Sequence, residues 1–406
     1  MSGAREGRRR AGREGPPFLL TPLGIVFTTV LIDLIGFGIV LPILPLWAEE
    51  FGASPVQIGI ITASYAVAQL VSAPVLGRLS DRHGRRPVIL ASLVGTVVAF
   101  LLIGFAQALL VIFLARVLQG VAGASYATAQ AYVADTTTPA QRAHGMGMIG
   151  AAFGLGFLLG PAIGAIFATI DPRAPFFAAA ALAAANLLIA LRRLPESITP
   201  GSAPAVRPGL AVVRRALAGR ALAPLVWLTF VANVAFIGME TTFALYGAHR
   251  FGYSTAQVAL LFAYIGVLAV LSQGYLVRRM VARAGEARTM VTGLGVTGAG
   301  LLGMAAAHSL WLLLVSLGLL ALGSGLVFAT TTALISLASG AGEQGTLLGL
   351  TASVGSAARI AAPLAAGALY QHVDLAAPLL VGGGLMLLCT VAALRVAPRS
   401  AVAAGR

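Results

Sequence analysis

Twelve apolar windows, each long enough to cross a hydrocarbon core, leave this chain of 406 residues few folds to choose from. A helix rises about 1.5 Å per residue, so about 20 apolar residues span a core of about 30 Å. The windows lie at about 22–46, 56–76, 87–106, 108–131, 145–168, 175–191, 222–246, 256–277, 289–307, 310–333, 345–370 and 376–396. Composition agrees. Hydrophobic residues make up 58% and charged residues 10%, against about 25% charged in a soluble domain. There is too little polar side chain to cover a wet surface, and the expected class is an all-α integral membrane protein. The single cysteine, Cys389, excludes an internal disulfide and is expected to pack.

An even number of crossings returns both termini to one side, and charge says which side that is. Every one of the 27 basic residues is arginine. Arg116 and Arg359 fall inside spans and Arg173 and Arg250 in loops on one side, while all the other arginines lie with the termini. The positive-inside bias puts that side in the cytoplasm of a bacterial-type inner membrane. The opposite turns hold Glu49, Glu50, Asp171 and Asp374. Nucleic acid is not an expected partner despite the net charge of +14, because the arginines sit between apolar runs rather than on a soluble face. The apolar stretch after the basic start is too long for a signal peptide and reads as an uncleaved span.

The longest polar connection contains Pro195, Pro200, Pro204 and Pro208 and reads as a linker with a short amphipathic piece around Leu210–Leu217. The expected organisation is a basic arm (1–21), a six-helix bundle (22–193), the linker (194–220), a second six-helix bundle (221–397) and a tail (398–406). The halves repeat. Phe51-Gly52-Ala53-Ser54-Pro55-Val56-Gln57 is matched by Phe251-Gly252-Tyr253-Ser254-Thr255-Ala256-Gln257 at an offset of 200, and Gly147 and Pro161 by Gly349 and Pro363 at 202. Parallel six-span repeats with a site between them are a transporter architecture.

The connection after the second span reads Gly77-Arg-Leu-Ser-Asp81-Arg82-His-Gly84-Arg85-Arg86-Pro87. Positive-inside bias would explain its arginines, but not the spaced glycines or the aspartate. Glycine suits the bends of a tight hairpin, and an acid there can pair with the bases, with Asp135 at the end of the fourth span as a further partner for Arg82 or Arg85. These residues resemble the loop signature of the major facilitator superfamily, and the resemblance covers nearly the whole chain. The first span, with Asp33, Gly36, Gly38, Pro42 and Pro45, is similar to that of the twelve-span drug/proton antiporters. Arg116-Val-Leu-Gln119-Gly120 resembles the second family motif. Gly147, Gly156, Gly160-Pro161 and Gly164 resemble the antiporter signature, with Ala165 in place of its final glycine. Such a run is also a small-residue packing seam. Tetracycline exporters are similar, yet their third helix carries an aspartate where this chain has Val97, Val98 and Ala99, and their ninth is acidic where Met290–Ala307 has no charge. The resemblance therefore implies the fold and proton coupling, not tetracycline as substrate.

Ionisable groups inside a bilayer are costly and mark function by default. Here they are Asp33, Arg116, Glu240 and Arg359. Helix rise puts Asp33 and Arg116 at nearly the same depth, so a pair between them is expected, either as a proton-coupling centre or as a fixed structural bridge. Glu240 is expected to carry a second proton or meet a cationic substrate, or else to sit at the interface beside His249 or Arg250. Arg359 is expected to attract anionic groups, or to pair with backbone or Glu240. Gln119, Asn233, Tyr65, Tyr264 and Phe236 complete the candidate cavity.

Gly293-Leu-Gly295-Val-Thr-Gly298 fits a dinucleotide motif but lies inside an apolar span with no strand before it. The histidines, His83, His144, His249, His308 and His372, fall near span ends in no metal-ligand pattern. No nucleophile, base and acid cluster, so an enzyme is not expected. The expectation is proton-coupled export of amphiphilic small molecules by alternating access, with protons as coupling ion, no other cofactor or metal, and no required oligomer. The alternative is an importer or facilitator of a polar metabolite such as a sugar, which would need more polar side chains on the first and seventh helices than are present.

Overall fold

The computed structural model describes residues 21–136, 139–197, 222–338 and 344–403. These are helical almost throughout: α1 (Pro22–Glu49), α2 (Pro55–His83), α3 (Arg85–Gly104), α4 (Leu109–Gly123), α5 (Ser125–Thr136), α6 (Pro139–Ala168) and α7 (Ala174–Arg193) in the first half. The second half holds α8 (Leu222–Phe251), α9 (Thr255–Leu271) with a π-turn at Ser272–Leu276, α10 (Val277–Ala305), α11 (Leu310–Leu337), α12 (Gln344–His372) and α13 (Ala377–Ala403). Ten described helical stretches are long and apolar enough to cross a membrane. One of them, Thr255–Ala305, runs through a non-helical Gly285 (φ 75°) and so holds two crossings. With the shorter apolar stretch Gly154–Ala168 of α6, and α4 and α5 together as the fourth, the count is consistent with twelve. Outward-facing side chains such as Val71, Leu110 and Trp311 are exposed, as lipid-facing residues must be.

The repeated turns prove to be the same structure twice. Gly52 and Gly252 both take a positive φ (76° and 70°), a region that only glycine enters freely. Ser54 then caps α2 with Gln57 reaching back, and Ser254 caps α9 with Gln257 in the same reciprocal box. Gly84 (φ 103°) and Gly285 (φ 75°) are a further equivalent pair, each breaking the chain between consecutive crossings.

The tight hairpin expected over Gly77–Pro87 is corrected: α2 continues to His83, α3 starts at Arg85, and Gly84 alone is the bend. Arginines at a helix end keep their charges in the polar headgroup layer while the backbone stays helical. The amphipathic piece at Leu210–Leu217 lies outside the described residues.

Within the first bundle α1 packs on α6 and α7, α2 on α4, and α3 on α4 and α7. In the second, α8 packs on α12 and α13, α10 on α11 and α13, and α9 on α11. The bundles meet through α2 against α12, α6 against α9, and α1 against α8. The site lies between them.

Candidate functional site

At the arginine-rich face, the buried Arg85 is the centre of a polar cluster whose acids reach solvent. Its guanidinium pairs with Asp81 one turn earlier, donates to Asp135 Oδ2 at 3.2 Å and to Ser80 Oγ at 2.7 Å. The expected Asp135 partnership is thus with Arg85; Arg82 is exposed. Sequence reasoning missed Glu196, just past α7. Its carboxylate accepts from the backbone N–H groups of Arg85 (2.8 Å) and Arg86 (3.1 Å), closing the N-terminus of α3, where an acid is favoured by the free N–H groups and the helix dipole. Glycine is favoured at 84 by its positive φ of 103°, and a Cβ there would also press on the Glu196 carboxylate. Arg86 donates to Leu191 O at 2.9 Å, and Gly77 has open space around it.

Deeper in, Tyr65 of α2 is a hub. Arg116 of α4 stacks its guanidinium 4.6 Å from the Tyr65 ring centroid and donates to Gln119 one turn on, both residues being buried. Gln69 Nε2 bridges Tyr65 Oη (3.3 Å) and Gly123 O (3.1 Å), and Phe37 of α1 packs against the same ring at 5.7 Å. A Cβ at Gly120 would collide with the Tyr65 carbonyl, so this glycine lets α2 and α4 touch.

The expected Asp33–Arg116 ion pair is not formed. Equal depth fixes height, not azimuth, and Arg116 is turned to Tyr65 and Gln119. Asp33 has no ion-pair partner among the described residues, although it lies within electrostatic reach of Tyr65, as do Arg116 and Arg359.

From the second bundle, Glu240 of α8 is 7% exposed, and its Oε1 has no hydrogen-bond partner. The interfacial placement beside His249 or Arg250 is therefore corrected; among the described residues the arginine within electrostatic reach is Arg359, beyond salt-bridge distance. Phe236 makes an edge contact with Phe328 (5.6 Å), Tyr264 Oη donates to Leu314 O (3.3 Å) and Asn233 Nδ2 to Thr229 O (2.7 Å). Tyr264 thus ties α9 to α11, while Asn233 serves its own helix.

The glycines of α6 form the seam with α1. A Cβ at Gly156 would run into Leu34, one at Gly160 would lie 2.6 Å from Ile35 O and 2.7 Å from Gly38 Cα, and one at Gly164 3.0 Å from Ile43. Pro161 packs against Gly38 from the same side; Gly147 belongs to the same helix. On its other face α6 meets α9, where a Cβ at Gly266 would press on the Leu158 backbone at 2.9 Å.

At the face opposite the arginine-rich one, the bundles are pinned together. His249 Nε2 lies 3.0 Å from Glu49 Oε1, His249 Nδ1 2.8 Å from Tyr370 Oη, and Val56 N–H donates to Gln371 Oε1 at 3.1 Å. Gly59 sits on Pro363 and Gly367 on Pro55, all backbone contacts. Both pair members are more than a third exposed, which limits the ion pair to about 0–1 kcal/mol. Labelling of a cysteine at Val56, in a Cys389→Ala background, is expected to rise a few-fold in His249→Phe, which removes the contacts to Glu49 and Tyr370. Labelling at the wild-type level in His249→Phe would remove His249 as a clamp on this face.

The sequence matches the Major Facilitator Superfamily over residues 26–284 and 274–406. The "Tetracycline resistance protein, class B" of Escherichia coli is 32% identical over 358 residues, 87% of this chain and 88% of that protein. "Multidrug resistance protein 1" of Bacillus subtilis (strain 168) is 27% identical over 356 residues, 86% and 90% of the two chains. Among solved structures, the human organic anion transporter MFSD10 (TETRAN) superposes with a TM-score of 0.67 at 27% identity, covering 93% of this chain and 100% of that one. A POT family transporter in complex with 5-aminolevulinic acid shares the fold, with a TM-score of 0.77 at 13% identity and coverage of 93% and 96%. Two bundles of membrane-crossing helices, built on a repeated capped turn and matched over nearly their full length, make this chain a transporter rather than an enzyme, and it belongs to the Major Facilitator Superfamily.

Proposed function

We propose that the protein is a proton-coupled exporter of amphiphilic small molecules, working by alternating access in a bacterial-type inner membrane. The observation that carries this reading is a carboxyl group from each bundle, Asp33 and Glu240, held inside the membrane with no salt-bridge partner among the described residues. A carboxyl that is neither paired nor fully solvated can change protonation as the cavity opens to one face and then the other. The arginine-rich face is the cytoplasmic one, so the closed contacts at Glu49, His249 and Tyr370 belong to the outer side and the state seen here is shut to the outside. The resistance proteins among the relatives support export. Protons are the coupling ion, no further cofactor is required, and one chain in the bilayer holds all the parts.

The candidate cavity residues include aromatic side chains, with Phe37 packed on Tyr65 and Phe236 on Phe328. Such a cavity favours compounds that gain about 25 cal/mol per Å² of buried apolar area over strongly hydrated sugars. One feature favours an anionic group on some substrates: Arg116 Nε is buried without a partner and Arg359 forms no salt bridge among the described residues. A relative of similar fold is an organic anion transporter.

The test is uptake into proteoliposomes under an imposed pH gradient, with lipophilic cations, neutral drugs including tetracycline, organic anions and a sugar. Glu240→Gln removes a charge and keeps the shape, so it should weaken cationic substrates about tenfold more than neutral ones. Equal weakening of both would remove Glu240 as a charge contact, and sugar transport without drug transport would establish the polar-metabolite alternative.

A further inference from the structure

Asp33 faces a second environment besides the space between the bundles. Inside the first bundle, at α1, α3 and α5, lies a cavity of about 20 Å³ measured to the centre of a water-sized sphere, lined by Asp33, Thr29, Ser92 and Thr96 together with Val30, Ile89, Leu93 and Ala129. That is room for about one water molecule. Hydroxyls on membrane helices usually bond back to their own backbone, as Thr29 does to Ile25 O (2.9 Å), Thr241 to Ile237 O (2.8 Å) and Thr297 to Gly293 O (2.7 Å). Ser92 and Thr96 do not. They are 7% and 4% exposed, and neither hydroxyl has a hydrogen-bond partner among the described residues.

Two neighbours in the same bundle are also unsatisfied. Thr128 Oγ1, next to Ala129, and both side-chain polar atoms of the fully buried Asn186 lack partners. Asn186 is on α7, which packs on α1 and α3. Counted from the arginine-rich ends of their helices, Asp33, Ser92, Thr96, Thr128 and Asn186 all lie roughly 10–17 Å deep. Buried polar groups are nearly always satisfied, and a group of orphans at one depth points to ordered water. A bare apolar bundle would not hold these residues there.

We propose that this cavity is a water-binding site through which Asp33 exchanges its proton, so that proton and substrate approach α1 from different sides. The inference rests on the coupling role given to Asp33 above. Ser92 and Thr96 donate to the water oxygen or accept from it, Thr29 offers its remaining lone pair, and the water bonds to the Asp33 carboxyl. The step is an ordinary acid dissociation: the carboxyl O–H breaks, the pair of electrons stays on the carboxylate, and the bound water becomes hydronium, which passes its proton on to solvent. Ser92 and Thr96 are positioning residues here. Around Asp33, α3, α6 and α7 bring no ionisable group to this depth among the described residues; α5 carries Tyr132 and α9 Tyr264, and α2 brings Tyr65, which lies within electrostatic reach of Asp33, of Arg116 on α4 and of Arg359 on α12.

The experiment compares Ser92→Ala/Thr96→Val, which removes two of the cavity's three hydroxyls with little change in volume, with Thr96→Ser, which keeps a hydroxyl. Gradient-driven transport should fall about tenfold in the double variant, the loss expected for one water-mediated hydrogen bond, while substrate counterflow without a pH gradient stays near wild type. Thr96→Ser should retain the wild-type rate and pH profile. In infrared difference spectra, the protonated Asp33 carbonyl stretch, identified by its absence in Asp33→Asn, should move to higher frequency in the double variant only. A gradient-driven rate unchanged in the double variant, or a parallel fall of counterflow, overturns the proposal and leaves Asp33 coupling standing. Gradient-driven transport surviving in Asp33→Asn overturns the coupling role itself, and this inference with it.

Discussion

Asp33→Asn is expected to abolish gradient-driven transport while leaving the protein folded and able to bind substrate. Asparagine matches the shape of the carboxyl but cannot carry a proton, and among the described residues Asp33 takes part in no salt bridge whose loss would strand a buried arginine. Had Asp33 been locked to Arg116, removal of one partner would leave an uncompensated charge and destabilise the bundle by about 3–5 kcal/mol. Arg116 instead has Tyr65 and Gln119, so thermal stability in detergent should stay close to wild type. The readouts are accumulation under an imposed pH gradient, equilibrium binding, and a melting curve. Accumulation at the wild-type level would remove Asp33 from coupling; a collapsed melting curve would assign it a structural role.

Gly160→Leu is expected to cause the largest structural loss. Every atom that its Cβ would meet is backbone, Ile35 O at 2.6 Å and Gly38 Cα at 2.7 Å, so no side chain can turn away. The helices α1 and α6 would have to part, and overpacking of this kind costs about 1–3 kcal/mol before the rest of the leucine is placed. Because the same seam carries Leu34 and Ile35 beside Asp33, transport should be lost even in protein that survives purification. Gly154→Ala on the same helix is the control: its Cβ would meet only Val270, at an ordinary 3.9 Å. Folded yield and transport should be near wild type for the control and low for Gly160→Leu. Wild-type behaviour of Gly160→Leu would mean that the seam opens freely.

The crossings and the repeated turn were readable from the sequence because each rests on a strong local rule. Apolar length fixes a span, and Gly52-x-Ser54 with Gln57, repeated at Gly252-x-Ser254 with Gln257, fixes a bend and a cap. The Asp81–Arg85–Asp135 cluster was partly readable, since an acid among arginines must find one of them; which arginine it finds depends on Gly84 ending α2 just before Arg85.

Azimuth was not readable. Asp33 and Arg116 share a depth, but a helix places residues at equal height on any side, and the large ring of Tyr65 lies under the guanidinium. Glu196 was hidden because it follows a span and reads as the start of a linker, although its carboxylate caps α3. His249 was hidden for a different reason: a lone histidine at a span end is an ordinary interfacial residue until the other bundle supplies Glu49 and Tyr370.

Counter-movement of protons and substrate tests the account most directly. In proteoliposomes loaded with a trapped pH dye, with no imposed gradient, addition of a transported amphiphile to one side should drive protons towards that side, at a rate that follows substrate concentration. Asp33→Asn should give no proton movement with the same substrate. Substrate entry without proton flux in the wild-type protein, or proton flux in the same direction as the substrate, would contradict proton-coupled export.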